Sequence, residues 1–156
     1  MKLFCRLTSP VGELVVAEDG EGVCDLFLRG EDAPAGMREE TTPLLREAAR
    51  QLSEYFSGRR KAFTFPLSLR GTPFQRNTWN ALRMIPYGET RSYRQIAGLI
   101  GAPKASRAVG QANHRNPVMI VVPCHRVIAA DGSLGGYGGG LSVKRFLLGL
   151  EWNSSR

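Results

Sequence analysis

The chain opens on short alternations of apolar and polar residues and later changes to a helical period. Residues 3–8, 13–17 and 22–28 read as three strands of a meander, separated by turns at Ser9-Pro10-Val11-Gly12 and Asp19-Gly20. Residues 29–42 are polar, with Gly30, Pro34 and Gly36, and read as a loop. Leu44, Leu45, Ala48, Leu52, Tyr55 and Phe56 then recur at helical spacing up to Gly58. Residues 61–69 fit one more strand. Thr72-Pro73 opens a helix that runs to about residue 84, with Thr72 as N-cap and Pro73 first inside it. Ser92 caps another helix carrying Ile96, Ala97, Leu99 and Ile100. Gly101-Ala102-Pro103 breaks it, and residues 104–113 restart as a helix rich in Ala, Ser and Gly. The apolar run 118–122 reads as a strand. Residues 141–150 read as a last helix with Val143, Phe146, Leu147 and Leu150 on its apolar side. The pattern predicts an α+β chain: a small strand-and-helix domain at 1–70, then a mainly helical, winged-helix-like domain at 71–156 built on a helix-turn-helix.

Composition adds little until charge is counted by region. With 42% hydrophobic and 22% charged residues, the 156-residue chain is ordinary for a globular protein. No apolar run approaches a membrane span, and the amino terminus has no leader-like segment, so a cytosolic protein without a membrane partner is expected. Residues 1–65 hold nine Lys/Arg against eleven Asp/Glu, a net −2, whereas residues 66–156 hold twelve against three, a net +9. So basic a half suggests a polyanion, most simply nucleic acid, with solubility alone as the competing reading. The second helix of the helix-turn-helix offers Arg107, Gln111 and Asn113 among very small side chains. That composition suits close, sequence-indifferent packing on DNA better than a base code. A plain helical hairpin has the same pattern.

The chemistry concentrates at Pro123-Cys124-His125-Arg126-Val127. Cysteine attacks as thiolate, and a neighbouring imidazole favours that form. A buried strand-end cysteine is the alternative, and strand alternation would send Cys124 and His125 to opposite faces. Downstream, Gly135-Gly136-Tyr137-Gly138-Gly139-Gly140 could bring backbone close to a planar ligand with Tyr137 as a wall, or could be a linker. It lacks the spacing of a dinucleotide or phosphate loop, and no cofactor is expected. Lys144 and Arg145 either face solvent or reach toward that loop. Glu151, one of three acids in this half, is a candidate to orient His125 or an exposed carboxylate. Cys5, Cys24 and Cys124 are too few and too scattered for a disulfide framework. With both histidines in the other half, a zinc site at Cys5 and Cys24 is not expected.

Taken in order, Thr72-Pro73-Phe74-Gln75, Ile85-Pro86-Tyr87-Gly88-Glu89-Thr90, Ser92-Tyr93, Arg107-Ala108-Val109-Gly110, Asn116-Pro117, the Cys-His segment, residues 136–141 and Glu151 resemble the O6-alkylguanine-DNA alkyltransferase family. The resemblance covers residues 66–151; residues 1–65 match only in outline. It implies double-stranded DNA carrying O6-alkylguanine as partner, bound through the minor groove by a monomer. The damaged base is flipped out, and its alkyl group passes irreversibly to Cys124 in a single turnover. It further implies that His125 takes the thiol proton through a water, with Glu151 behind the imidazole and Asn116 bracing the cysteine segment. Arg107 would fill the gap left by the base, and Tyr93 would turn the phosphate and bond the guanine. Cys124 and Val127 backbone would read the base edge, Tyr137 would stack, Gly138 N–H would face the departing O6, and Lys144 would lie by the glycine loop. Some relatives carry serine at the Gly138 position, so contact there is backbone only. A non-catalytic damage binder, a Cys-His hydrolase and a DNA-binding regulator are the rival readings.

Overall fold

The protein is described here from a computed structural model covering residues 1–29, 35–135 and 140–156. It divides into two compact units, Met1–Arg70 and Gly71–Arg156. In the first unit, β1 (Lys2–Ser9), β2 (Gly12–Glu18) and β3 (Val23–Leu28) form the meander as an antiparallel sheet. A fourth strand, β4 (Met37–Glu39), lies parallel to β1 and gives the order β3-β2-β1-β4. It falls inside the stretch expected to be loop. Its three residues are too short to show a period, and its pairing is long-range.

Helix α1 (Pro43–Phe56) starts at Thr42, whose hydroxyl accepts from Leu45 N–H at 3.1 Å, and it buries Leu45, Ala48, Leu52 and Tyr55. Cys5 and its cross-strand partner Val16 share the α1 face, the Cys5 thiol pointing to the Leu45 carbonyl. Phe4, Val15, Ala17 and Cys24, with Phe27 and Met37, form a cluster on the other face. The two thiols are therefore buried core groups in strands separated by β2, both unbridged. Burial and Asp25 push the Cys24 thiol up to about 12, which makes it unreactive. Residues 61–69 do not form the expected strand: apart from a bridge between Leu67 and Val23, they run as coil. This coil is held by Asp19, which accepts from Ser68 Oγ at 2.6 Å and Arg70 Nε at 3.1 Å.

The second unit is helical. In α2 (Pro73–Leu82), Thr72 and Gln75 form a reciprocal capping box. Buried Trp79 of α2 donates from Nε1 to the Ala112 carbonyl at 2.8 Å, tying it to the helix-turn-helix. That motif consists of α3 (Tyr93–Leu99), with a second capping box at Ser92 and Gln95, and α4 (Ser106–His114). Two residues on either side of the site pair as parallel strands, β5 (Arg91–Ser92) and β6 (Val127–Ile128). The last helix, α5 (Leu141–Ser155), runs a turn beyond the expected end. It buries Val143, Leu147 and Glu151 and leaves Phe146 39% exposed. None of the described helices is long and apolar enough to cross a membrane.

Candidate active site and nucleic-acid face

The segment before the cysteine corrects the expectation of a strand. Residues 118–122 fold as a tight loop, with Val121 N–H donating to Met119 O at 2.8 Å and Val122 N–H to Val118 O at 3.0 Å. Ile120 sits in the left-handed region at φ 73°, a costly conformation for a β-branched residue. The loop has an internal clamp that replaces a sheet ladder. Asn116 Oδ1 accepts from Val118 N–H at 3.0 Å, and Asn116 Nδ2 donates to Val122 O at 2.7 Å. The run is apolar because it is buried: Val118, Ile120 and Val122 are all at most 1% exposed.

Cys124 follows in a single 3-10 turn, Cys124–Arg126, so the alternation of a strand does not apply to Cys124 and His125. All three side chains of the turn are buried. His125 Nε2 lies 2.6 Å from Glu151 Oε2 on α5, and the imidazole is fully excluded from solvent. Its Nδ1 has no protein hydrogen-bond partner among the described residues. Glu151 is therefore no exposed carboxylate. It also accepts from Arg126, at 2.8 Å from Nε to Oε1 and 3.1 Å from Nη2 to Oε2, while Arg126 Nη1 donates to Ile85 O at 2.8 Å. Burial pushes the Glu151 carboxyl up, but the hydrogen bonds and charges of His125 and Arg126 overcome it and hold the group at about 2. Burial lowers the His125 value despite the pull of Glu151, so the imidazole rests neutral beside an anionic carboxylate.

Sequence reasoning missed Arg126. A cation in a +9 half reads as a surface group, yet here it is 6% exposed and spent on Glu151. The signal that could have found it is the scarcity of acids: Glu151 has two basic neighbours in the Cys-His segment and few rivals.

Lys144 settles on one of its two alternatives. It is fully buried, with Nζ donating to Val127 O at 2.6 Å and also to Leu134 O, and burial lowers its pKa against the pull of Cys124. Arg145 remains exposed. Tyr93, half-buried at the start of α3, has its phenol pushed up by burial and then by Cys124, so it stays protonated. Its ring passes Gly110 of α4, where an added Cβ would sit 3.8 Å away, and Gly135, where an added Cβ would meet the phenol oxygen at 3.0 Å. Val127 is buried in β6. Tyr137 and Gly138 lie outside the described residues.

On α4, Arg107 is exposed and shares a groove of about 690 Å³ with Gly110, Gln111, His114 and Arg115. Asn113 is not on that face: it is 5% exposed and donates from Nδ2 to the Cys124 carbonyl at 3.3 Å. Arg76, Arg83, Arg94, Lys104, Arg107 and Arg115 have no carboxylate partner among the described residues. In the first unit most of the cations are paired: Lys2, Arg6, Arg29, Arg38, Arg50, Arg60 and Arg70 each meet a carboxylate. No group of three or more His, Cys, Asp or Glu among the described residues could hold a metal.

The arrangement puts a buried cysteine in one 3-10 turn with a histidine and an arginine that share a buried glutamate, in a unit that also carries a basic helix-turn-helix. The comparisons give the class a family. Residues 73–153 match the DNA-binding domain of 6-O-methylguanine DNA methyltransferase, and residues 5–69 match that family's ribonuclease-like domain. The constitutive methylated-DNA–protein-cysteine methyltransferase of Bacillus subtilis is 49% identical over 97% of this chain and 96% of its own. The methylated-DNA–protein-cysteine methyltransferase of Methanosarcina acetivorans is 52% identical over 95% and 97%. The crystal structure of Mycobacterium tuberculosis OGT in complex with DNA superposes with a TM-score of 0.91 at 46% identity, covering 97% of this chain and 94% of that one. This chain belongs to the 6-O-methylguanine DNA methyltransferase family.

Proposed function

We propose that this chain is a single-turnover DNA repair methyltransferase that removes the alkyl group from O6-alkylguanine in duplex DNA. One observation carries the reading: the only cysteine in the second unit stands in the same 3-10 turn as a buried histidine held at 2.6 Å by Glu151, behind the helix-turn-helix. His125 Nε2 is committed to the carboxylate, so Nδ1 is the nitrogen left to take the thiol proton, through a bridging water. Glu151 stabilises the imidazolium that forms, and Arg126 keeps Glu151 ionised throughout. The thiolate attacks the alkyl carbon in line. The S–C bond forms as the C–O6 bond breaks, and the electron pair passes to O6 and spreads over the base, which takes up a proton to become guanine. Tyr93, a protonated phenol, donates a hydrogen bond to the base. A thioether is not hydrolysed in the cell, so each molecule acts once.

The unpaired cations of the second unit and the small-residue face of α4 support binding to the DNA backbone from the minor groove, with Arg107 entering the stack as the damaged base leaves it. Residues 1–70 serve as an accessory domain and 71–156 as the DNA-binding and transfer domain, acting as a monomer on chromosomal DNA in the cytoplasm. The family and Cys124 together disfavour the hydrolase and the plain regulator as alternatives.

Mass spectrometry after mixing the protein with a duplex carrying one O6-methylguanine tests this. The expected result is one methyl group on the Cys124 peptide, stoichiometric and never exceeded. Tight binding with no gain in mass would leave a damage-binding protein instead.

A further inference from the structure

Helix α4, the second helix of the helix-turn-helix and its recognition helix, carries an amide that reaches the Cys124 carbonyl, and it is not Asn116. Asn113 lies in the last turn of α4, on the side away from the groove lined by Arg107, Gln111, His114 and Arg115. Its Nδ2 donates to the carbonyl oxygen of Cys124 at 3.3 Å, and its Oδ1 is buried with no protein partner among the described residues. A half-satisfied buried amide costs stability that a leucine of similar shape would not. The same carbonyl accepts from Val127 N–H, which closes the 3-10 turn. The orientation of this one peptide plane sets where both Cys124 Sγ and the His125 ring point. Asn116 holds the loop on the amino-terminal side of Cys124, at Val118 and Val122, and Asn113 holds the peptide on its carboxy-terminal side. The two amides stand three residues apart at the same helix end.

We propose that Asn113 is a positioning residue for alkyl transfer, which ties the Cys124 peptide to the end of the recognition helix so that seating α4 on DNA and aiming the sulfur are one event. The inference rests on Cys124 being the nucleophile. Asn113 touches neither substrate nor DNA, and its effect appears in the transfer step alone.

The experiment measures single-turnover methyl transfer from duplex O6-methylguanine under saturating protein, together with DNA affinity and melting temperature, for wild type, Asn113→Leu and Asn113→Asp. Asn113→Leu keeps the branched outline and loses the donor. Its transfer rate constant should fall by about tenfold or more, the cost of a small misplacement of a reacting group, with DNA affinity within about twofold of wild type. Asn113→Asp keeps the shape, and only its protonated form can donate to the carbonyl. Its rate relative to wild type should therefore recover as pH is lowered from about 8 to about 6, since burial raises a carboxyl pKa. A purely structural role would leave that ratio flat. Wild-type transfer in Asn113→Leu, or a flat ratio in Asn113→Asp, overturns the proposal. If Asn113→Leu does not fold, the Asp series decides alone. A wild-type protein that gains no methyl on Cys124 would instead overturn the functional reading beneath it.

Discussion

His125 and Glu151 come within 2.6 Å of one another from two different elements, a 3-10 turn and the last helix, and neither is more than 1% exposed. Helix α5 thus places a carboxylate beside a neutral buried imidazole, where it would offset the charge of the protonated ring. The carboxylate is shared, because Arg126 grips both of its oxygens.

Removing the shared charge should damage stability and chemistry together. Glu151→Gln leaves the Arg126 guanidinium buried without its counter-ion, which costs about 3–5 kcal/mol. Pairing it with Arg126→Met should restore part of the melting temperature without restoring methyl transfer. A double-mutant cycle in which the losses simply add would contradict the shared-carboxylate geometry.

Acid should destabilise the protein starting well above the carboxylate range. The His125 value is lowered in the fold, so below about pH 6.5 the unfolded chain binds a proton that the native one refuses, and stability drops. The Glu151 value is depressed from 4.5 to about 2, so its contribution is complete above about pH 4.5 and is lost as pH falls toward 2. Both act in one direction. Thermal melts between about pH 8 and 3 should show stability declining through both windows, with the upper one absent in His125→Asn.

Asn116→Ala should loosen the loop before it slows the reaction. Two hydrogen bonds are lost, at Val118 N–H and Val122 O, a cost of about 1–3 kcal/mol. Ile120 then loses what holds it at φ 73°. Hydrogen exchange at the Val118 amide should rise sharply while α1 amides stay protected.

Arg107→Ala should leave the melting temperature unchanged, because the side chain is exposed and carries no ion pair among the described residues. Methyl transfer from duplex DNA should fall, because the gap left by the departing base loses the side chain that fills it. An unchanged transfer rate at limiting protein would remove Arg107 from the DNA face.

Cys124, His125 and Glu151 were legible because their residue types are scarce in this half and the motif orders them. What the chain hid has physical causes. Five consecutive apolar residues at 118–122 look like a strand, but Pro117 and Pro123 deny the run a ladder at both ends and Asn116 supplies a turn in its place. Strand β4 shows no period because its pairing with β1 is long-range. Asn113 reads with Arg107 and Gln111 as one of the polar groups that α4 offers to DNA among small residues. Only the packing of α4 against the cysteine turn reveals which side of the helix it occupies.

The bare side of α4 has a consequence for how a consumable protein finds rare targets. Beyond Arg107, Gln111, His114 and Arg115 that face offers small residues, little from which to build a sequence code, so its grip would be much the same on any stretch of duplex. Almost every encounter is with an undamaged pair, and each must end quickly for the search to move on. A surface that held one sequence firmly would strand the molecule far from a lesion. Indifference, together with an attraction that salt can loosen, lets it slide along the duplex and spend its single reaction on the base that leaves the stack most easily.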